Sequence, residues 1–228
     1  MTTDGDIWRP PQPLPGGVPT PSAAPAGTWD KPPVRFRRVT GLVVPVLVLS
    51  AMVTLVDLGS VLTAFGAAAA AGEAAAPAVA HVMLGGLRTV LLLAQLPLAG
   101  TWLLLVRRNA KDLDPYGLDH GAHWAYLGWI VPVASLFFPK RIVDDVWKVT
   151  AEGVGDGSTA GSTTVWWGCW VAYAVLSGVS AQFGGVHPRV DLLVAVASFA
   201  ALLAWARVVR AVSATQDRLV EARESTWT

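Results

Sequence analysis

Four long apolar stretches separated by short polar segments make up most of this 228-residue chain. They cover residues 41–65, 78–106, 163–183 and 191–209. A helix needs roughly 20 apolar residues to cross a hydrocarbon core of about 30 Å, and each stretch is close to that length or longer. Residues 66–77 join the first two and GGVHPR, residues 184–189, joins the last two, so each pair is expected to form a hairpin. The pattern predicts an all-α integral membrane helical bundle with four spanning helices.

A fifth apolar stretch, within GWIVPVASLFFPKRIVDDVWK at residues 128–148, has a different pattern. Its continuous apolar part, residues 124–138, has 15 residues, or about 22 Å of helix, which is short for a span. Pro132 lies at its middle, where a proline bends or breaks a helix, and Pro139 suits the first turn of a new helix. We therefore expect a short re-entrant or interfacial helical element. The alternative is that residues 122–138 cross the membrane fully.

Residues 139–151 have the apolar and charged faces of an amphipathic helix. Val143 and Trp147 share the apolar face, four residues apart. The other face carries basic side chains that can reach anionic lipid headgroups: Lys140, Arg141 and Lys148. We expect this helix to lie along the cytoplasmic membrane surface in contact with lipid. Asp144 and Asp145 are expected to pair with Arg141 and Lys148 of the same helix.

The distribution of basic residues distinguishes the two topologies of this segment. If it crossed fully, seven lysines and arginines would lie outside the cell against nine inside. If it enters and returns, only Arg189 is outside, Arg88 is within the membrane, and the remaining fifteen are inside. Because cytoplasmic loops carry an excess of lysine and arginine, the second arrangement is favoured. It predicts a multi-pass plasma membrane protein with both termini in the cytoplasm.

The beginning of the chain has a different composition from the rest. Residues 1–33 hold nine of the sixteen prolines and few apolar residues that could form a core. We expect residues 1–34 to be a disordered Pro-rich cytoplasmic tail, residues 35–222 to be the helical transmembrane domain, and residues 223–228 to be a C-terminal tail. The tail resembles no secretory signal, so the first span is expected to remain as an anchor. It is either a spacer or a docking segment for a polyproline-binding partner.

Composition and motifs argue against several classes of function. The chain is 53% hydrophobic and 14% charged with a net charge of +1, and its basic residues lie beside apolar stretches, so nucleic-acid binding is not expected. Cys169 is the single cysteine, so neither a disulfide nor a cysteine metal site is expected. The sequence contains no serine elbow, phosphate-binding loop or zinc-protease motif. We predict no catalytic, cofactor-binding or metal-binding residues and no enzymatic activity.

Histidines and tryptophans near the predicted span ends have structural as well as functional interpretations. His120 and His123, near Asp114 and Asp119, have a spacing that one metal ion could use, but histidines at a membrane boundary commonly bond solvent or headgroups instead. The eleven tryptophans include five near predicted span ends: Trp102, Trp124, Trp129, Trp166 and Trp167. These are expected to anchor helices at the membrane interface rather than to form a ligand cage.

Asp57 and Arg88 are the two clear charges inside predicted spans, where charges are rare and often functional. If Arg38 and Arg107 align at one end of the first hairpin, antiparallel counting brings Asp57 level with Arg88. We predict that the two form a structural intramembrane ion pair. A transport or proton-relay site is the alternative, although such a pathway normally needs further ionisable groups, and Gln95 alone does not provide a relay.

Three segments resemble an actinobacterial membrane protein family, the domain of unknown function numbered forty-three twenty-eight. They are TWLLLVRRNAKDL at residues 101–113, GWIVPVASLFFPKRIVDDVWK at residues 128–148, and RVVRAVSATQDRL at residues 207–219. The family-like motif is a Gly-Trp pair, a proline, a polar residue and a second proline: Gly128, Trp129, Pro132, Ser135 and Pro139. An asparagine is usual in the family where Ser135 stands. The resemblance covers roughly residues 35–222 and implies a multi-helix membrane protein with no established activity.

These features predict a non-enzymatic membrane protein that serves as an interaction or sensing module. It would contact the lipid bilayer, and it would reach a protein partner through the Pro-rich tail or the basic cytoplasmic helices. A small transporter or channel-like protein using the Asp57 and Arg88 region is the second candidate. A membrane enzyme using the histidine-bearing cytoplasmic loop is the third.

Reporter fusions test the topology. A reporter after Asp156 and one at the C-terminus should both report the cytoplasm, whereas one inserted within residues 67–76 should report the outside. The reason is the excess of basic residues that this arrangement keeps inside. Fusions to alkaline phosphatase and to a fluorescent protein, which are active on opposite sides, provide the measurement. External signals from both the Asp156 and the C-terminal fusion would establish five spans instead.

Overall fold

A computed structural model describes residues 37–70, 75–114, 116–131, 134–154, 161–183 and 186–224. The expected N-terminal tail and the last four residues lie outside these ranges. Within them, all regular secondary structure is helical, which confirms the all-α prediction. The α-helices are α1 (Thr40–Ala69), α2 (Ala75–Leu113), α3 (Trp124–Ile130), α4 (Phe138–Val154), α5 (Gly161–Phe183) and α6 (Pro188–Glu224), and a 3-10 turn covers Ala134–Leu136.

Three of the helices, α1, α2 and α6, are long and apolar enough to cross a membrane. This finding supports three of the four predicted spans and is consistent with a membrane location. The fourth, α5, has 23 residues, or about 34 Å of helix, but tryptophan, serine, threonine and glycine residues interrupt its apolar positions, and it is not among the three. α2 and α6 continue past their predicted ends at residues 106 and 209, at the end of the bundle that carries Arg107 and Arg210. We call this the basic end.

The long helices pack in the order α2, α1, α6, α5. α1 lies against both α2 and α6, and α5 lies against α6. Over the described residues, α2 and α5 are not packed against one another. The helices therefore form an arc rather than a closed ring, and the space between α2 and α5 is available for a cavity.

Residues 124–138 do not form one continuous helix. α3 has seven residues, or about 10 Å of helix, far less than a membrane thickness. Phe138, the first residue of α4, stacks on Trp124 with ring centroids 4.0 Å apart, so the chain folds back on itself. Gly128 permits this close approach, because a Cβ atom there would lie 3.2 Å from that of Phe138. Pro132, the predicted helix breaker, lies outside the described residues, and Pro139 lies in the first turn of α4 as predicted.

The apolar face of α4 packs against protein, and the expectation that Val143 would contact lipid was wrong. Four α4 side chains are at most 3% exposed and lie in the main hydrophobic core: Ile142, Val143, Val146 and Val149. The reason is the length of the neighbouring helices. α2 and α6 extend beyond their predicted ends and present apolar side chains, such as Ala110 and Val212, to which α4 binds.

The aspartates of α4 also pair differently from the expectation. Asp144 forms its ion pair with Lys140 rather than with Arg141 or Lys148. Asp145 Oδ2 lies 2.8 Å from Nδ1 of His120, in the segment that precedes α3. Because the apolar face of α4 is turned onto α2 and α6, Asp145 meets residues of another segment that helical spacing alone does not reveal.

A buried hydrogen-bond network joins α2, α4, α6 and the chain before α1 at the basic end. Gln216, fully buried in α6, donates to the Val106 carbonyl at 2.9 Å and to the Thr150 hydroxyl at 3.3 Å. Its own side-chain oxygen accepts from Asn109 Nδ2 at 3.0 Å. Asn109 also exchanges two bonds with the backbone of Arg37, at 2.8 and 3.0 Å. The side-chain amide protons of Gln216 and Asn109 are thereby all paired within the protein.

Gln216→Leu should destabilise the protein by about 1 to 3 kcal/mol, because it leaves a buried Asn109 proton and a backbone carbonyl without their partners. Gln182→Leu, the same change at an exposed position of α5, is the matched control. Thermal unfolding in detergent, followed by circular dichroism, measures the difference. Equal unfolding temperatures for the two variants would contradict a stabilising role for the network.

Candidate functional site

A stripe of polar side chains follows the buried face of α1. Ser50, Thr54, Asp57 and Ser60 are spaced by four, three and three residues, and each is at most 8% exposed. This spacing places them on one side of the helix. Small polar side chains allow close approach between membrane helices and can hydrogen-bond across them. The stripe faces α2 and α6, the two helices that pack on α1.

Asp57 and Arg88 meet on this stripe. Arg88 Nη1 lies 3.5 Å from Asp57 Oδ1, a long charge-assisted contact between α1 and α2. The Asp57 side chain is 1% exposed, whereas that of Arg88 is 23% exposed. Asp57 Oδ2 makes no hydrogen bond of standard geometry within the described part of the chain, but the hydroxyls of Ser198 and Tyr173 lie close to the carboxylate. The guanidinium therefore has one carboxylate neighbour and one open side.

Two further contacts connect the stripe to its neighbours. Gln95 Nε2 of α2 donates to Ser50 Oγ at 2.8 Å. The hydroxyls of Thr54 and Ser198, on α1 and α6, lie 3.1 Å apart. Because these bonds hold α1 between α2 and α6, they fix the inner wall of the space between α2 and α5.

That space is a cavity of about 360 Å³. Its inner wall comes from α1 and α6, its two sides from α2 and α5, and its basic end from Trp129 of α3. The polar lining residues are Ser50, Thr54, Arg88, Thr89, Gln95, Tyr173, Ser177 and Ser198. The remaining lining is apolar or aromatic. A largely apolar cavity of this size with a few convergent polar groups is typical of small-molecule sites.

Tryptophans form the end of the cavity nearest α3. Six indole rings are in mutual contact, with neighbouring centroids between 4.7 and 6.4 Å apart: Trp102, Trp129, Trp166, Trp167, Trp170 and Trp205. The expectation that Trp102, Trp166 and Trp167 are interfacial anchors was wrong, because they are at most 9% exposed. The extra length of α2 and α6 and the return of α4 enclose these rings within protein. Four of the six line the cavity: Trp129, Trp166, Trp170 and Trp205.

Several polar atoms at the cavity make no hydrogen bond of standard geometry within the described residues. The indole nitrogens of Trp129 and Trp205 are buried and unpaired. The buried hydroxyls of Tyr173 and Ser177 make no hydrogen bond of standard geometry, although they lie close to one another and Tyr173 lies close to Asp57. Trp205 is 5% and Tyr173 is 7% exposed. Leaving buried donors unpaired is unfavourable, so native proteins rarely do so away from functional sites. These unpaired atoms are the strongest indication that the cavity binds a ligand.

The cavity opens sideways, toward the outer surface of the bundle. Leu93 of α2 lines the cavity and is 61% exposed, and its neighbour Thr89 is also both lining and exposed. Since α2 and α5 do not pack together over the described residues, the opening lies between them. A helix surface of this kind faces lipid in a bilayer, so a ligand could enter without passing through water.

A second polar cluster, unnoticed in the sequence, lies at the end of the bundle opposite the basic end. His81 Nδ1 is 3.3 Å from the Ser60 carbonyl, and His81 Nε2 is 3.8 Å from Asp191 Oδ2. Ser180 donates to the other Asp191 oxygen at 3.3 Å. The cluster joins α1, α2, α5 and α6. The spacing of Ser50, Thr54, Asp57 and Ser60 was a sequence signal for the stripe, but nothing local links His81 to Asp191.

Residues of the family-like motif have separate structural roles. Gly128 lets α3 approach Phe138, Trp129 lines the cavity, and Pro139 is buried at the beginning of α4. Ser135 is half-buried, with its backbone nitrogen donating to the Val131 carbonyl at 2.7 Å. Pro132 lies outside the described residues. The motif thus shapes the turn that brings Trp129 to the cavity.

The histidines before α3 have protein partners. His120 contacts Asp145, and the ring of His123 lies 5.4 Å from that of Trp124. Among the described residues, no group of three or more His, Cys, Asp or Glu side chains is placed to hold a metal ion. Asp114 accepts a bond from the backbone of Tyr116 instead.

The family described as domain of unknown function (DUF4328) matches residues 65–191. This is more than half of the chain. The chain belongs to the DUF4328 family. The matched region contains Arg88, Gln95, α3, α4 and α5, and it is narrower than the resemblance to residues 35–222 predicted from the sequence. Asp57, Ser198 and Trp205 lie outside it, so the family region supplies the two sides of the cavity but not its inner wall.

Comparison with curated proteins and with solved structures found no significant match.

Replacing either member of the Asp57 and Arg88 pair tests its structural role. Asp57→Asn and Arg88→Gln should each destabilise the protein by about 3 kcal/mol, near the lower limit for buried pairs because Arg88 is partly open to the cavity. The swap of Asp57→Arg with Arg88→Asp should recover part of the loss. Asp112→Asn and Arg108→Gln, the same changes at exposed sites of α2, are the controls. Thermal unfolding that is equal in all single variants, with no coupling in the swap, would show that the pair is not structural.

Proposed function

We propose that this DUF4328 member is a multi-pass plasma membrane protein with α1, α2, α5 and α6 as spanning helices and both termini in the cytoplasm. The charge distribution supports this orientation, because it keeps fifteen of the seventeen basic residues inside. The packing of α5 along α6 supports its role as the fourth span. α3 then dips into the membrane from the cytoplasmic side, and α4 returns along the basic end.

The proposed activity is non-enzymatic sensing of a small, lipid-soluble ligand in the cavity between α2 and α5. The observation that carries this proposal is the set of unpaired buried donors around the cavity, which a bound ligand would satisfy. The polar residues that line the cavity include no pair of nucleophile and base. Arg88 is paired with Asp57, and the other polar side chains are hydroxyls and an amide.

In such a sensor, α4 would transmit the structural change caused by ligand binding. Trp129 lines the cavity from α3, and α3 packs directly on α4. α4 in turn carries the buried Thr150 of the Gln216 network and an exposed, partly basic outer face. A shift of Trp129 on ligand binding would therefore reach the surface that faces the cytoplasm. The Pro-rich tail and this basic surface are the proposed contacts for a protein partner.

A small transporter that uses Asp57 and Arg88 is the second candidate. The observation in its favour is the polar stripe, which runs from Ser50 through Asp57 to Ser60 and the His81 and Asp191 cluster. Against it, the tightly packed rings of the six-tryptophan cluster lie at the basic end of the cavity, which argues against a water-filled route through the described part of the bundle. Transport would have to move that cluster.

Filling the cavity tests the coupling to α4. Ala174→Phe places a ring in the cavity from α5, and Ala172→Phe adds the same ring to an exposed position of the same helix. Hydrogen exchange of the α4 amides, measured in nanodiscs by mass spectrometry after exhaustive washing, should be at least twofold slower in Ala174→Phe than in the wild type. Ala172→Phe should match the wild type.

Two results would contradict the sensing proposal. One is α4 exchange that is equal in both phenylalanine variants although exchange in α5 changes near residue 174. The other is ion or proton flux into proteoliposomes that exceeds the flux into empty liposomes and is lost in Asp57→Asn, which would favour transport.

A further inference from the structure

The donors around the cavity restrict the chemistry of what it binds. The indole nitrogens of Trp129 and Trp205 donate hydrogen bonds and cannot accept them, and the same is true of the Arg88 guanidinium. The hydroxyls of Tyr173 and Ser177 can donate as well. No carboxylate is among the residues that line the cavity. The lining hydroxyls and the Gln95 amide can also accept hydrogen bonds, but the unpaired indole donors can be satisfied only by acceptor atoms of the ligand.

The charge balance of the cavity favours a neutral acceptor over a carboxylate. Arg88 brings a positive charge, but Asp57 Oδ1 is 3.5 Å from it, and the two charges offset one another. A ligand carboxylate would place a second negative charge beside the buried Asp57, and such pairs are unfavourable. Carbonyl oxygens accept from indole, hydroxyl and guanidinium donors without that repulsion.

The walls of the cavity favour a flat ring. Four indoles line it, and two of them, Trp166 and Trp205, stack with centroids 4.7 Å apart. Aromatic rings gain from offset stacking and edge contacts in addition to the burial of their area. A flexible acyl chain would bury apolar surface against these rings but would use none of that geometry.

The donors also lie toward two ends of the cavity. Trp205 is seven residues beyond Ser198 in α6, or about 10 Å along the helix. Ser198 bonds Thr54 of α1, one turn from Asp57, and so marks the level of the charged pair. A ring with carbonyl groups on opposite edges presents one acceptor to Trp205 and Trp129 and the other to Arg88 and Tyr173. The lateral opening past Leu93 leaves room for a hydrocarbon chain that stays in the bilayer.

We propose that the cavity binds a quinone-type lipid, with a neutral flat ring, two opposed carbonyl acceptors and a hydrocarbon tail, which enters sideways from the bilayer between α2 and α5. The ligand class rests on the proposed function, in which the cavity holds a lipid-soluble molecule. Binding alone is involved, and no electron or proton transfer is assigned to the protein.

Titration of the full chain in nanodiscs of neutral phospholipid tests the ligand class. The probe is a naphthoquinone with a short isoprenoid chain, and the readout is the quenching of tryptophan fluorescence. Quenching should saturate in the wild type and in Ala172→Phe. In Ala174→Phe it should only rise in proportion to the probe dissolved in the bilayer, because the ring site is filled.

A second variant tests the donor without filling the cavity. Trp205→Phe keeps an aromatic ring but removes the indole N–H, and it should weaken binding about tenfold, as the loss of one hydrogen bond predicts. Trp167→Phe removes an indole from the same cluster at a position that does not line the cavity, and it should leave the affinity unchanged. This pair is informative even if Ala174→Phe fails to fold.

Oleate and monoolein, tested as competitors, separate the ligand class from the proposed function. Oleate has a carboxylate and no ring, and monoolein has a neutral ester carbonyl and no ring. Competition by either one, without saturable quenching by the naphthoquinone, would overturn the quinone class while leaving a lipid-binding cavity intact. Naphthoquinone quenching that is the same in the wild type, Trp205→Phe and Ala174→Phe would also overturn it. The exchange measurement on α4 reports on sensing independently of either result.

Discussion

The packing of α1 against both α2 and α6 is the interaction on which the rest of this structure depends. Its buried face carries serine, threonine and aspartate side chains at helical spacing, and these bond Gln95 and Arg88 on one side and Ser198 on the other. α2 and α6 also meet directly near the basic end, where Gln216 of α6 bonds the Val106 carbonyl and Ser213 accepts from the Trp102 indole. Of the long helices, α5 packs chiefly on α6, and it also contacts α4; the space left between α2 and α5 becomes the cavity.

Most buried polar groups in the described residues are paired across helices, as a medium with little water requires. The Gln216 network satisfies the basic end, and the His81 and Asp191 cluster joins four helices at the opposite end. The cavity lies between these two paired regions, and several of its donors are left without partners. Outside the cavity and the adjoining Asp57 carboxylate, the buried oxygens of the described residues without a partner belong to Asp144, Asp191 and Asp217, and the second oxygen of each of these carboxylates is paired. At the cavity, by contrast, the single donor of an indole ring is left without a partner at Trp129 and at Trp205.

The return of the chain between α3 and α4 connects this cavity to the basic end. α3 is too short to cross a membrane, and Phe138, the first residue of α4, packs back on Trp124, the first residue of α3. Gly100 of α2 lets Tyr126 of α3 approach, since a Cβ atom there would lie 2.5 Å from the Tyr126 ring. α3 is thus packed between α2 and α4, with Trp129 in the cavity wall. A small turn segment within the family region joins the proposed ligand site to the proposed output surface.

The sequence by itself determined which segments are helical and the depth at which Asp57 and Arg88 lie. Helix formation satisfies the backbone within each segment, so apolar length and proline positions suffice to predict it, and antiparallel counting sets depth along a hairpin. The family-like motif around Gly128 and Pro139 also required no tertiary information.

Tertiary structure alone decided which faces meet. The sequence could not reveal that α2 and α6 continue far enough to bury Val143 of α4, that Trp102 and Trp166 lie inside the protein, or that His120 meets Asp145. These contacts join residues far apart in the chain, and several side chains on each helix are apolar enough to face either lipid or protein. The lateral order of the helices determines whether such a side chain faces lipid or protein. That order is set by pairings such as Thr54 with Ser198, which no local pattern encodes.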